Sequence, residues 1–152
     1  MAIYLDTSAL AKLYRTEDGT PKVEQLVADS AGTCLVSRLG IVEMHSALAQ
    51  RTRSGELSLA DADAVMRRFR EDIRLRRFRV VALNVRHYDS AANLVDKHGP
   101  GNGLRTLDAL HLAIALDLRG DGLVDSMIVA DKILCRVARI EGLNAVDPEL
   151  SV

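Results

Sequence analysis

The chain has 152 residues, 48% hydrophobic and 27% charged, a balance that suits one domain with a full core and excludes a disordered or fibrous chain. Its 20 Lys and Arg against 21 Asp and Glu leave a net charge of −1, so any polyanion-binding surface has to be local. Two cysteines, Cys34 and Cys135, form no C-x-x-C pair, the apolar start is broken at Asp6, and no apolar stretch is long enough for a bilayer, so a reducing cytoplasm is expected and a thiolate zinc site, disulfide framework or membrane span is not.

Short apolar or β-branched runs at 3–5, 34–36, 79–83, 127–129 and 144–146 predict strands. Helical spacing predicts helices over 22–29, 39–53, 60–77, 85–97, 106–118 and 132–141. Strands that alternate with helices over residues 1–152, with no linker or repeat, imply a single α/β domain around a parallel sheet.

The first strand closes at Asp6, and Thr7 and Ser8 follow before an apolar helix that starts at Ala9. After the second strand Ser37 can cap a helix that carries Glu43 among Leu39, Ile41, Val42, Met44, Ala47 and Leu48. Ser58 and Asp61 make a weak capping box for the next helix, whose apolar face is Ala62, Val65, Met66, Phe69 and Ile73. Residues 67–79 hold seven Arg with Glu71 and Asp72, either a track for phosphates or a solvated face. Gly99-Pro100-Gly101-Asn102-Gly103 is expected to be a loop, because Pro lacks a donor and Gly resists ordering, and it delivers Arg105 and Asp108 to a helix start. That helix, Leu107 to Ala115, is strongly apolar, so Asp108 within it would be costly without a partner. The fourth strand runs out to Asp131, which starts the last helix as Asp6 starts the first.

In open parallel sheets ligands bind beyond the carboxyl ends of the strands, where Asp6 and Asp131 fall. If the fold gathers Asp6, Glu43, Asp108 and Asp131, their repulsion needs a cation, and a set of hard oxygen donors without Cys selects Mg²⁺ or Mn²⁺ over zinc. Such a site suits hydrolysis of a phosphodiester.

Tyr4-Leu5-Asp6-Thr7-Ser8-Ala9-Leu10, then Val42-Glu43, then the stretch from Leu104-Arg105-Thr106-Leu107-Asp108 through Ala109-Leu110-His111-Leu112-Ala113, then Val129-Ala130-Asp131, together resemble the PIN-domain ribonucleases, and more narrowly the VapC toxins of type II toxin–antitoxin pairs. The resemblance implies a three-layer α/β/α fold with a central, mainly parallel sheet of about five short strands. It implies an endoribonuclease whose Asp6, Glu43, Asp108 and Asp131 are catalytic and hold Mg²⁺, with Mn²⁺ as substitute, and whose water nucleophile leaves 5′-phosphate and 3′-hydroxyl ends. It also implies a homodimer, an RNA substrate and a VapB-type antitoxin partner. Thr7 or Ser8 would orient a carboxylate from behind, and Arg105 and His111 are candidate substrate contacts. Val129 stands where the family commonly has Thr or Ser, and Asp125 competes with Asp131 for the fourth place. His45, His87 and His98 read as surface or boundary residues, and both cysteines as core. Two rival readings are a PIN-fold RNA-binding module without catalysis and a phosphoryl-transfer protein using Asp6 as nucleophile.

Overall fold

A computed structural model of the chain describes residues 1–30 and 32–150. Side-chain alternation in the first strand, β1 (Ile3–Leu5), sets the layering. Ile3 and Leu5 pack into one hydrophobic cluster with Val23, Leu26, Met44 and Phe69, while Tyr4 packs into the other with Leu94, Leu112, Ile114 and Leu134. Both faces are therefore covered by helices, as an all-parallel sheet requires. One layer contains α1 (Thr7–Ala11), α2 (Thr20–Asp29), α3 (Arg38–Arg53) and α4 (Leu59–Arg74). The other contains α5 (Val85–Asn102), α6 (Thr106–Gly120) and α7 (Lys132–Ile140).

The remaining strands are β2 (Cys34–Ser37), β3 (Arg79–Val81), β4 (Ser126–Ile128) and β5 (Ala145–Val146), in the order β3-β2-β1-β4-β5, all parallel. Successive strands run outward from β1 through β2 to β3, then β4 starts afresh on the other side of β1. The crevice between the carboxyl ends of β1 and β4 is thus the point where strand order reverses, the usual ligand position in open α/β sheets.

The five strands and the longer helices lie where the sequence pattern predicts them, with ends displaced by a few residues. Three expectations need correction. Residues 99–102 are helical: α5 runs through Pro100 and stops at Gly103, whose φ of 75° closes the helix with its N–H on the carbonyls of His98 and Gly99. Pro100 lies in the last turn, so the helix loses one donor near its end, and packing of Ala91, Leu94 and His98 against the core outweighs that loss. His87 and His98 are buried, paired with Asp117 at 3.0 Å and Glu141 at 2.5 Å, because long-range partners appear only after α5 docks on α6 and α7; His45 is exposed. The first helix begins at Thr7 rather than Ala9, since Asp6 is its N-cap and accepts from the Ala9 N–H.

Candidate active site

Asp6 leaves the end of β1 with its side chain turned back on α1. Oδ1 accepts from Ala9 N at 2.9 Å, and Ser8 Oγ donates to Oδ1 at 2.7 Å and lies 2.9 Å from Oδ2. The same Ser8 oxygen accepts from Ala130 N at 2.9 Å, so one hydroxyl ties the end of β1 to the chain leaving β4. Asp6 is only 4% exposed, and burial pushes its carboxyl up to about 6 against the opposing influence of His111 and its hydrogen bonds.

Glu43 comes from the second turn of α3, which Ser37 caps by accepting from Gly40 N at 2.9 Å. Its Oε2 receives the Thr7 hydroxyl at 2.7 Å and faces His111 Nε2 at 2.5 Å. On its other side His111 Nδ1 meets the Tyr4 hydroxyl at 2.6 Å. Burial raises the Tyr4 phenol above its ordinary value, so it stays protonated, donates to Nδ1, and leaves the Nε2 hydrogen for Glu43. Burial works against ionising Glu43, but His111 and Thr7 outweigh it and hold the carboxyl below its usual range. His111 is itself 2% exposed, and both its ring nitrogens are engaged inside the protein. In this arrangement it braces Glu43 from the cavity wall.

Asp108 lies in the first turn of α6, and Asp131 is the N-cap of α7, with Oδ1 on Leu134 N at 2.9 Å. One guanidinium joins them: Arg105 Nε reaches Asp108 at 3.0 Å and Nη2 reaches Asp131 at 3.3 Å. Burial and the neighbouring Asp131 raise the Asp108 carboxyl, and Arg105 only partly opposes them. Asp125 instead precedes β4, where it accepts from Ala2 N at 2.7 Å, so it is at the opposite end of the strand from Asp131. Val129, lacking a hydroxyl, is fully buried in the core.

All eight residues singled out from the sequence, Asp6, Thr7, Ser8, Glu43, Arg105, Asp108, His111 and Asp131, line one cavity of about 530 Å³. Three contributors were not read from the sequence. Tyr4 is a strand residue whose link to His111 spans 107 positions. Gly40 lets α1 and α3 approach: a Cβ there would stand 3.3 Å from Thr7 Oγ1 and 3.8 Å from His111 Cε1. Lys12 lines the cavity wall yet is 4% exposed, its ammonium donating to Glu17 at 3.2 Å, Asp18 O at 2.8 Å and Glu149 at 2.8 Å. A lysine that caps α1 between Ala11 and Leu13 is the available signal, but Glu149 reaches it from 137 positions away.

The PIN domain family matches residues 3–140. The chain is 34% identical over 151 residues to Ribonuclease VapC45 of Mycobacterium tuberculosis strain CDC 1551 / Oshkosh, covering 97% of this chain and 96% of that one. The figures are the same for Ribonuclease VapC49 of strain ATCC 25618 / H37Rv. Among solved structures, the sarcin-ricin loop cleaving toxin VapC20 of M. tuberculosis superposes with a TM-score of 0.65 at 18% identity, covering 96% of this chain and 98% of its own. FitAcB from Neisseria gonorrhoeae superposes with a TM-score of 0.69 at 15% identity, covering 96% and 97%. The last two share the fold, whereas the family match and the near full-length identity to two ribonucleases go further: the chain belongs to the PIN-domain family, as a ribonuclease of the VapC type.

Proposed function

We propose that the chain is a divalent-metal-dependent endoribonuclease that hydrolyses RNA phosphodiester bonds, the toxin of a VapBC-type pair neutralised by a VapB-type antitoxin. The observation that carries this reading is the convergence of four carboxylates from four separate elements into one cavity where the strand order reverses. Among the described residues neither Asp6 nor Glu43 has a Lys or Arg within 4 Å, and the His111 and Thr7 contacts of Glu43 both fall on Oε2, so each carboxylate keeps an oxygen that a cation can take.

As they stand, no three acidic, His or Cys side chains among the described residues are grouped to grip one ion. Arg105 is the reason on one side of the cavity: its guanidinium is a stand-in cation between Asp108 and Asp131. Its side chain is 70% exposed, so it can swing out at little cost in packing. Four hard oxygen donors then fit Mg²⁺, with Mn²⁺ as substitute, and Asp6, Glu43, Asp108 and Asp131 are the residues that would hold it. A divalent ion there would supply Lewis acidity, acidifying water and offsetting charge on the phosphate.

The rest of the work belongs to the chain. Ser8 and the Ala9 amide fix the Asp6 carboxylate at the strand end. Thr7 and His111 keep Glu43 ionised and aimed, and Tyr4 sets the tilt of the His111 ring. Arg105, once free of the two acids, is placed to receive an RNA phosphate in a charge-assisted pair. The reading includes a homodimer working in the cytoplasm, for which two buried free cysteines are suited.

The test is cleavage of RNA by the purified chain in Mg²⁺, Mn²⁺ and chelator, with Asp6→Asn as the paired variant and a sarcin-ricin loop RNA among the substrates. Cleavage in either metal, abolished by chelator and by the substitution, is expected. Binding of RNA without cleavage in any metal would turn the reading to the non-catalytic module.

A further inference from the structure

The cavity itself is a poor place to gain affinity for RNA. Four carboxylates repel phosphates, and two of its three cations are engaged, Lys12 by Glu17 and Glu149 and Arg51 by Glu17 at 3.7 Å, which leaves Arg105 alone to meet a phosphate once an ion takes Asp108 and Asp131. Binding energy for a polyanion has to come from another surface.

Such a surface runs along α4 into β3. The seven arginines between 67 and 79 are all exposed, and none lines the acidic cavity. The two acids among them are used: Glu71 holds Arg74 at 2.6 Å, and Asp72 faces Arg77 at 3.5 Å while accepting from the Tyr14 hydroxyl at 2.5 Å. Arg68 lies over the Tyr14 ring, 5.4 Å from its centre. Arg67, Arg70, Arg76 and Arg79 have no acidic partner within 4 Å among the described residues. Arg67, Arg70 and Arg74 are three and four residues apart and share one helix face, while Met66 and Phe69 are buried in the core.

Arg76 adds an independent observation. Its φ is 57°, and it is the one non-glycine in the left-handed region among the described residues, where six glycines occupy the other such positions. A left-handed turn after a helix favours glycine, so a long β-carbon-bearing side chain there is held against a backbone cost. No hydrogen bond or ion pair of the Arg76 side chain within the described residues offsets that cost. What the position keeps is a charge aimed at solvent.

We propose that Arg67, Arg70, Arg76 and Arg79 form a second binding surface, for the sugar–phosphate backbone of the RNA flanking the scissile bond. The proposal rests on the ribonuclease reading and extends it. Arg79 pairs with Leu35, which is level with Tyr4, two residues short of Asp6 and two strands away. At ordinary strand spacing and rise Arg79 is roughly 12 Å from the strand end that bears Asp6, and Arg76, which precedes β3, lies farther off towards the amino edge of the sheet, so one RNA strand reaches the surface over several nucleotides. No exposed aromatic ring stands among the four arginines, so the surface reads backbone rather than sequence.

The experiment titrates a fluorescein-labelled hairpin RNA of about 20 nucleotides in chelator, where it is not cut, over a range of salt. Wild type is compared with Arg76→Gly, with the triple variant Arg70→Gln/Arg76→Gly/Arg79→Gln, and with the exposed control pair Arg53→Gln/Arg136→Gln. Arg76→Gly is expected to raise the Tm by relieving the left-handed turn, yet to weaken binding. The triple variant is expected to lower the slope of log Kd against log salt by about 2 and affinity about tenfold. The control pair should keep the wild-type slope. If wild type cuts RNA in Mg²⁺ or Mn²⁺ but the triple variant keeps its slope and affinity, this surface is overturned and the ribonuclease reading stands. If polyglutamate displaces the RNA equally well, the face belongs to an acidic protein and the proposal is overturned. If wild type neither binds nor cuts RNA, both readings fall.

Discussion

Replacing Asp6 with Asn should stabilise the metal-free protein. Burial lifts this carboxyl from 3.8 to about 6, which costs the ionised native state about 3 kcal/mol relative to the unfolded chain. The raised value already includes the bonds from Ser8 and Ala9, and Asn keeps an oxygen for Ala9 N. The net gain at pH 7 is therefore up to about 3 kcal/mol. The sign of the pH dependence follows from linkage. The native state holds the Asp6 proton more tightly than the unfolded state, so the wild-type stability contributed by this group is full below about 4 and is lost as pH rises to about 6. The advantage of Asp6→Asn should then open between those values and level off above them. Urea denaturation of both proteins in chelator at pH 4.5 and pH 7 measures it. Saturating Mg²⁺ should narrow or reverse the difference, since the ion binds the folded wild type alone. A variant no more stable than wild type at pH 7, or an advantage equal at both pH values, would refute the argument that burial of the Asp6 anion outweighs the bonds it receives.

Arg105→Gln should leave the melting temperature unchanged but tighten Mn²⁺ binding in calorimetry, because the guanidinium no longer competes for Asp108 and Asp131; weaker Mn²⁺ binding would contradict the stand-in role. Gly40→Ala adds a helix-favouring residue worth up to about 1 kcal/mol, yet its Cβ crowds Thr7 Oγ1 at 3.3 Å. RNA cleavage is expected to fall at least tenfold with stability little changed, and parental activity would show that Thr7 tolerates the shift. Tyr4→Phe leaves a buried His111 nitrogen without its partner, so unfolding free energy should drop by about 1–3 kcal/mol and Mn²⁺ affinity with it; a neutral effect on both would remove Tyr4 from the chain of contacts to Glu43.

The alternation of short apolar runs with helical spacing determines the α/β class, because a period of two or of 3.6 residues is local information carried by neighbours in sequence. The acids after the first and fourth strands were legible for the same reason: a carboxylate that ends an apolar run and caps the next helix has a local signature at Asp6 and Asp131. The bond from Ser8 to Asp6 follows the same strand–acid–hydroxyl order, whereas that from Thr7 to Glu43 spans 36 positions and needs the fold. Tertiary structure alone decided the remainder. Pro100 sits in a helix because docking of α5 supplies burial that outweighs one missing donor. His87 and His98 left the surface when Asp117 and Glu141 arrived from 30 and 43 positions away. Tyr4 became a polar contact only when His111 came across the sheet, and Arg76 shows its cost only in a backbone angle. Each depends on free energy shared between residues remote in sequence, whereas a periodic pattern needs only its neighbours.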